Sequence, residues 1–141
     1  MKVDQQAKLA ARIQLKRVYE AASSADGDRF LVERLWPRGI KKSSLEIQAW
    51  LKDVAPSVNL RKWFNHDPAR WNEFRKRYFA ELKENQSSWL PILEAASRGT
   101  VTLIYSSHDP EHNNAVVLKE FLVQHLHEQS KREFAPDSTQ A

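Results

Sequence analysis

Three short β-forming runs mark this chain, and long stretches with helical periodicity precede and follow the third. The runs span residues 13–19, 29–36 and 100–105, and the last, Thr-Val-Thr-Leu-Ile-Tyr, has the clearest strand pattern. Strands combined with helices in this way favour an α/β fold, so we expect a small, mostly parallel three- or four-stranded sheet flanked by helices. About nine residues join the first two runs, which is short for a parallel crossover, so an antiparallel pairing there stays open.

Helical periodicity predicts four helices and one shorter turn. They run from Ser43 or Ser44 to about Lys52, from Asp67 to Leu82, from Trp89 to Ala96 and from Asp109 to about His127, with a turn at residues 60–64. In two of them an Asp-Pro pair supplies the N-cap and a first-turn proline. Pro91 must sit in or near the first turn of its helix, because an interior proline kinks a helix. Residues 1–12 are expected to be a frayed start and residues 129–141 a disordered tail, which leaves a single α/β domain at 13–128.

Composition excludes several classes of chemistry. The 141 residues include no cysteine, which excludes disulfides, thiolate nucleophiles and cysteine-ligated metals. Three glycines are too few for a Walker or dinucleotide-binding fingerprint. No apolar run approaches the roughly 18 residues of a membrane span, and the amino-terminal segment lacks the apolar stretch of a signal peptide. We therefore expect a cytoplasmic protein with no membrane partner.

Four segments together carry a specific pattern: residues 16–20, 26–39, 55–68 and 102–115. They contain the strings Arg-Leu-Trp-Pro-Arg-Gly, Ala-Pro-Ser and Trp-Phe-Asn-His-Asp-Pro. In this combination the chain resembles the YeaO-like branch of the domain-of-unknown-function 488 family from about residue 13 to 122. The resemblance implies a compact α/β domain with no agreed activity, and it favours parallel first and second strands. Glu33 departs from the family pattern, which usually has Asp there.

The loop Trp36-Pro37-Arg38-Gly39 is the strongest candidate site, because ligands of open α/β sheets bind outside the carboxyl ends of the strands. If the second and third strands are parallel, the loop at residues 106–109 opens on the same side. Arg38, together with Lys41 or Lys42, can then face a phosphate or carboxylate. The first amides of the helix that follows can bind the same anion. A salt bridge of Arg38 with Glu33 or Asp109 that only pins the loops is the structural alternative.

Further candidates lie nearby in the sequence. Arg34 can bind a ligand or form a structural ion pair with Asp53 or Asp67. Arg61 and Trp63 can contact a ring and its phosphate, although aromatics at this spacing more often fill a core. The full set of candidate ligand-binding residues is Arg34, Trp36, Arg38, Lys41, Arg61, Trp63, Tyr105, Ser107, Asp109 and Asn113.

His108 and His66 are the candidate catalytic acids or bases, because an imidazole titrates near neutrality. His108 and His112 stand four residues apart, but a capping residue interrupts them, so a preformed zinc face is not expected. No metal and no cofactor are predicted, and whether the protein is an enzyme stays open.

Two functions from different classes fit these observations. The first is binding of a small anionic ligand, phosphorylated or nucleotide-like, at the carboxyl ends of the strands, with a possible reaction on it. The second is a nucleic-acid-binding module, because the formal net charge is +4 and cations concentrate in residues 29–42 and 61–77. A partner-binding or structural role is the third alternative.

Overall fold

The computed structural model describes the backbone of residues 2–134 and the side chains of residues 6–129. In this part of the chain the helices are α1 (Lys2–Ala11), α2 (Val58–Phe64), α3 (Trp71–Lys83), α4 (Gln86–Ala96) and α5 (Asn114–Phe134). The strands are β1 (Ile13–Arg17), β2 (Asp28–Leu31), β3 (Ala49–Trp50) and β4 (Val101–Tyr105). The expected α/β fold with a small parallel sheet flanked by helices is confirmed.

All four strands run parallel, in the order β1-β4-β2-β3. The antiparallel pairing left open for the first two strands does not occur, because β4 lies between them. The connection between β1 and β2 has about ten residues, which can span up to about 33 Å when extended. Strands separated by one other strand lie only roughly 10 Å apart, so this length is sufficient. The short connection between β1 and β2 therefore crosses β4 without a crossover helix, and a single 3-10 turn at Ser24–Asp26 takes its place.

One face of the sheet carries the main core. Ile13, Phe30 and Leu103 from the strands pack there with Tyr78 of α3 and Leu118 of α5. The apolar face predicted for α3 is confirmed, and its buried members include Phe74, Tyr78 and Leu82.

The opposite face is covered by an extended segment rather than by a helix. Val18, Leu31 and Ile104 are buried there beneath half-buried side chains of the segment, namely Trp36, Ile40, Leu45, Ile47 and Trp50. The helix predicted from Ser43 or Ser44 to about Lys52 is wrong, since this segment forms a 3-10 turn at Lys42–Ser44 and then strand β3. Its side chains alternate between half-buried and exposed from residue 45 to residue 48, which is the period of a strand.

The two Asp-Pro pairs behave differently. The Asp67 side chain accepts a backbone N–H two residues further on, at 3.0 Å, in the turn that leads into α3, so this predicted cap is confirmed. Helix α5, by contrast, begins at Asn114 and not directly after Asp109. Asp109 caps an isolated turn instead, and the side chain of Asn113 accepts a first-turn N–H of α5 at 3.1 Å.

Other features of the helices and strands also differ from the sequence-based expectations. Strand β2 ends at Leu31 and does not reach Trp36, because the chain leaves the sheet where the neighbouring β4 ends. Pro91 lies inside α4, and both Pro91 and Ser87 are exposed, so water can bond the Ser87 carbonyl that lacks its helical partner. The segment expected to fray forms α1, whose Leu9 packs against the main core.

Helix α5 extends past residue 128 to Phe134. The remainder of the predicted tail, residues 135–141, lies outside the described residues. Within the described part of the chain, each helix is too short or too polar to cross a membrane.

Candidate functional site

The carboxyl ends of three parallel strands meet at one edge of the sheet. Arg17 ends β1, Leu31 ends β2 and Tyr105 ends β4. Because β2 and β4 are parallel, the loops that follow them open on the same side, as the sequence predicted. The carboxyl end of α2 joins them through Arg61 and His66, and the result is a cleft with two connected compartments.

The deeper compartment, here called the inner cavity, has a volume of about 140 Å³. It is lined by Glu33, Pro56, Arg61, Phe64, His66, Phe74, Ser106, Ser107, His112, Asn113 and Asn114. The wider compartment, here called the outer groove, has a volume of about 950 Å³. It is lined by Arg17, Tyr19, Glu33, Leu35, Trp36, Pro37, Arg38, Arg61, His66, Ser106, Ser107, His108 and Asp109. The five residues on both lists make the two compartments continuous.

Glu33 is the carboxylate at the junction of the two compartments. Its Oε2 accepts the backbone N–H of Ser106 at 3.0 Å, which ties the loop after β2 to the loop after β4. Burial raises the pKa of Glu33, and the N–H and hydroxyl of Ser106 together with the charge of Arg61 act in the opposite direction without cancelling it. The cleft therefore contains an acceptor whose negative charge the protein only partly compensates.

Three arginines line the outer groove, and they have different surroundings. Arg17 donates to the Ser107 carbonyl at 3.0 Å, contacts Nδ1 of His108 at 2.9 Å and stacks over the Tyr19 ring, so it holds the loop after β4. Like Arg17, Arg38 and Arg61 have no carboxylate within 4.0 Å among the side chains of residues 6–129, but their guanidinium groups, unlike that of Arg17, have no hydrogen-bond partner there. These guanidinium groups can meet an anion, although the charge of Arg61 also acts on Glu33.

Asp109 and His112 form a hydrogen-bonded pair at the same edge. Asp109 accepts the backbone N–H groups of Glu111 at 2.9 Å and of His112 at 3.0 Å, and its Oδ2 lies 2.9 Å from Nδ1 of His112. The Glu111 N–H and then the contacts with His112 hold the pKa of Asp109 below its usual value. The His112 ring stands edge-on to Trp71, with 5.0 Å between the centroids. The pair fixes the ring orientation, so that a neutral His112 carries its proton on Nδ1 and presents Nε2 as an acceptor.

Most of the predicted site residues meet in the cleft. Those that line it are Trp36, Arg38, Arg61, His66, Ser107, His108, Asp109 and Asn113. The other predicted residues do not line it. Arg34 donates to the Ala55 carbonyl at 2.9 Å and pairs with Asp53 at 3.6 Å, so it has one of the structural partners foreseen for it.

The remaining three lie elsewhere for separate reasons. The ring of Trp63 is half-buried, and its centroid lies 5.2 Å from the guanidinium carbon of Arg70 and 4.2 Å from that of Arg77. The Tyr105 side chain is buried in the main core, and Lys41 is exposed at the start of a 3-10 turn. Within the described side chains, no group of three or more histidines and acids can hold a metal ion.

Eleven cleft residues were not among the predicted site residues, and they include Arg17, Glu33, His112 and Asn114. Arg17 is the last residue of β1, and Glu33 follows the end of β2 by two residues. The expectation that ligands bind at the carboxyl ends of parallel strands would therefore have found both. His112 and Asn114 depend on where α5 starts. Placing the helix start directly after Asp109 concealed that His112 and Asn114 reach the inner cavity together with the predicted Asn113.

The fold and its cleft define an α/β domain with a polar, partly cationic site at the carboxyl edge of a parallel sheet. Residues 12–140 match the family described as the inactive DUF488-N3 subclade, and the chain belongs to this family. It is 42% identical to the uncharacterized protein YeaO of Escherichia coli (strain K12), over 78% of this chain and 96% of that protein. It is 38% identical to an uncharacterized protein of Mycobacterium tuberculosis (strain H37Rv), over 79% of this chain and 93% of that protein. The predicted YeaO-like relationship is therefore confirmed, and no solved structure matches the chain.

Proposed function

We propose that this protein binds a small anionic ligand, such as a phosphorylated metabolite, in the cleft at the carboxyl ends of its strands. The observation that carries the proposal is that Arg38 and Arg61 line the cleft without a carboxylate within 4.0 Å among the described side chains. A half-buried arginine such as Arg61 loses part of its hydration. An anion that accepts two parallel hydrogen bonds from the guanidinium compensates for that loss. The start of α5 beside the inner cavity adds a favourable dipole.

The ion pairs of the two basic segments favour a small ligand over nucleic acid. Five of their arginines are engaged with carboxylates: Arg29, Arg34, Arg70, Arg75 and Arg77. These side chains are partly neutralised, so the charge that can meet a phosphate backbone is smaller than the sequence suggests. The remaining arginines, Arg38 and Arg61, face one concave cleft, which suits one small anion better than a long backbone. The four lysines of the two segments also have no carboxylate within 4.0 Å among the described side chains, and none of them lines the cleft.

The proposal concerns binding rather than a reaction. The Asp109–His112 pair and Glu33 are groups that can hold or accept protons, as an acid–base site requires. The matching family, however, is described as an inactive subclade, which favours a binding role for this chain. His66 and His108 then serve as hydrogen-bonding groups at the cleft wall.

The test is a thermal-unfolding screen with inorganic phosphate and phosphorylated metabolites, run on the wild type and two variants. A probe at about 100 times its Kd adds about 2.7 kcal/mol to the free energy of unfolding, which corresponds to roughly 10 °C for this chain length. Arg61→Ala should abolish the rise in Tm. Arg98→Ala is the matched control, because Arg98 is exposed beyond the opposite end of β4 and does not line the cleft.

Two results would contradict the proposal. One is that no phosphate-bearing probe raises the Tm of the wild type. The other is that oligonucleotides alone raise it and lose affinity steeply with salt, with a log–log slope near 0.9 per phosphate contact, which would favour the nucleic-acid alternative.

A further inference from the structure

Glu33 does not fit a site that recognises only an anion. Among the described side chains that line the inner cavity it is the single acidic one, and its carboxylate lies at the junction with the outer groove. An ionised carboxylate repels a phosphate and accepts hydrogen bonds at about four positions. Ser106 supplies the N–H and the hydroxyl that act on Glu33, so acceptor capacity is left over. A ligand that satisfies this carboxylate must bring hydrogen-bond donors of its own.

The size of the inner cavity limits what those donors belong to. Its volume is about 140 Å³. A protein cavity of roughly 150 Å³ takes up one benzene molecule, so the inner cavity has room for one ring and not for two joined ring systems. Whatever carries the anionic group must extend into the outer groove.

The walls of the inner cavity combine an aromatic surface with polar groups. Phe64 and Phe74 stack with 4.3 Å between their centroids and provide the apolar part. Glu33, His112 and Asn114 provide the polar part. A ring with C–H faces and hydroxyl edges satisfies both. A purely apolar ring would leave the acceptor positions of Glu33 that Ser106 does not satisfy without a donor, which is the kind of mismatch that polar sites reject most strongly.

Arg61 connects the two compartments, because it lines the inner cavity and the outer groove alike. A phosphate held by its guanidinium is therefore separated from the ring by a short link only. This matches a ring joined to its phosphate through one methylene or one oxygen.

We infer that the ligand of this cleft is a sugar phosphate, whose ring occupies the inner cavity with its hydroxyls donating to Glu33 and whose phosphate lies in the outer groove on Arg61 and Arg38. The inference rests on the proposed anion site and adds the chemical class of the ligand. Glu33 is assigned the recognition of the sugar hydroxyls, and the arginines are assigned the phosphate.

Isothermal titration of the full chain with five probes tests this assignment. The probes are inorganic phosphate, phenyl phosphate, ribose 5-phosphate, glucose 6-phosphate and adenosine 5′-monophosphate. At least one of the two sugar phosphates should bind ten or more times more tightly than inorganic phosphate and phenyl phosphate, a difference of about 1.4 kcal/mol. Phenyl phosphate has a ring of the right size and no hydroxyl, so it separates hydroxyl recognition from simple filling of the cavity.

The variant Glu33→Gln supplies the second readout. Its amide oxygen can still accept the Ser106 N–H, so the loop contact is retained, and an unchanged Tm would show this. The tenfold advantage of the sugar phosphate should disappear in Glu33→Gln, while the affinity for inorganic phosphate stays equal or rises because a negative charge is removed. Glu94→Gln, an exposed site on α4 outside the cleft, should bind all probes as the wild type does.

Three results would overturn the inference and leave the proposed function standing. They are phenyl phosphate binding as tightly as the sugar phosphates, the sugar advantage surviving in Glu33→Gln, and the nucleotide binding more tightly than both sugar phosphates, which would contradict the single-ring cavity. If none of the five probes binds, the anion site itself is wrong, and the inference falls with it.

Discussion

Replacing Gly27 with alanine tests how tightly the turn before β2 is packed. Gly27 has φ +63° and ψ −140°, a region that only glycine adopts readily. A Cβ added there would lie 2.1 Å from the carbonyl oxygen of Thr100. That oxygen accepts the backbone N–H of Asp28 at 3.0 Å, so it cannot move away without weakening a bond at the start of β2.

Both effects reduce the free energy of unfolding. Backbone strain in this region costs about 1–3 kcal/mol, and a weakened hydrogen bond costs about 1 kcal/mol. We expect Gly27→Ala to lose roughly 2–4 kcal/mol, and at about 4 °C per kcal/mol its Tm should fall by roughly 8–16 °C. Thermal unfolding followed by circular dichroism measures this directly.

The other two glycines supply graded controls. Gly39 has φ +76° but no heavy atom within 4 Å of an added Cβ, so Gly39→Ala should show strain alone, about 1–2 kcal/mol. Gly99 has neither a positive φ nor a close neighbour, and Gly99→Ala should leave the Tm nearly unchanged. If Gly27→Ala loses no more stability than Gly39→Ala, the close approach to Thr100 does not contribute and the reasoning is refuted.

Two further substitutions probe buried polar groups. Tyr78→Phe removes the hydroxyl that donates to the Val54 carbonyl at 2.6 Å in the core, and urea unfolding should show a loss of about 1–3 kcal/mol; a loss below about 0.5 kcal/mol would contradict this. Asp26 is buried and forms ion pairs with the half-buried Lys16 and the buried Arg29. Burial acts to raise the pKa of Asp26, but the hydrogen bonds from Lys16, from the Ser23 N–H and from Arg29 hold that pKa below the usual 3.8. This contribution to stability is present above pH 3.8 and is lost as the pH falls through the lower folded-state pKa, so Asp26→Asn should cost about 3 kcal/mol at pH 7 and progressively less below about pH 4. A difference from the wild type that stays constant between pH 7 and pH 3 would show that the charge of Asp26 is not what matters.

Local patterns predicted the elements whose signal is strong within a few residues. The six residues from 100 to 105 are mostly β-formers, and the strand there is β4, buried along its whole length. The cap at Asp67 and the spacing of Phe74 and Tyr78 predicted α3 for the same reason. Segment 43–52 failed because its alternation covers only about four residues and competes with serines that also suit a helix N-cap.

The candidate site was predictable in outline, because one topological rule places ligands at the carboxyl ends of parallel strands. That rule located Arg38, Ser107 and Asp109 correctly at the cleft. The rule could not predict which arginines form an ion pair with a carboxylate and which do not. Arg34 and Arg61 are both arginines near aromatics in the sequence, yet only Arg34 has a carboxylate within 4.0 Å among the described side chains.

The sequence by itself determined the α/β class, the absence of thiol chemistry, the family and the loops that form the cleft, since each depends on residue identity or on short-range spacing. The tertiary structure alone decided the strand order, the extended cover over the second face of the sheet, and the contacts of each charged side chain. Glu33, for example, meets the Ser106 N–H across 73 residues of sequence. Burial and charge pairing depend on which distant segments come together, and that information is spread over the whole chain rather than held in any one part of it.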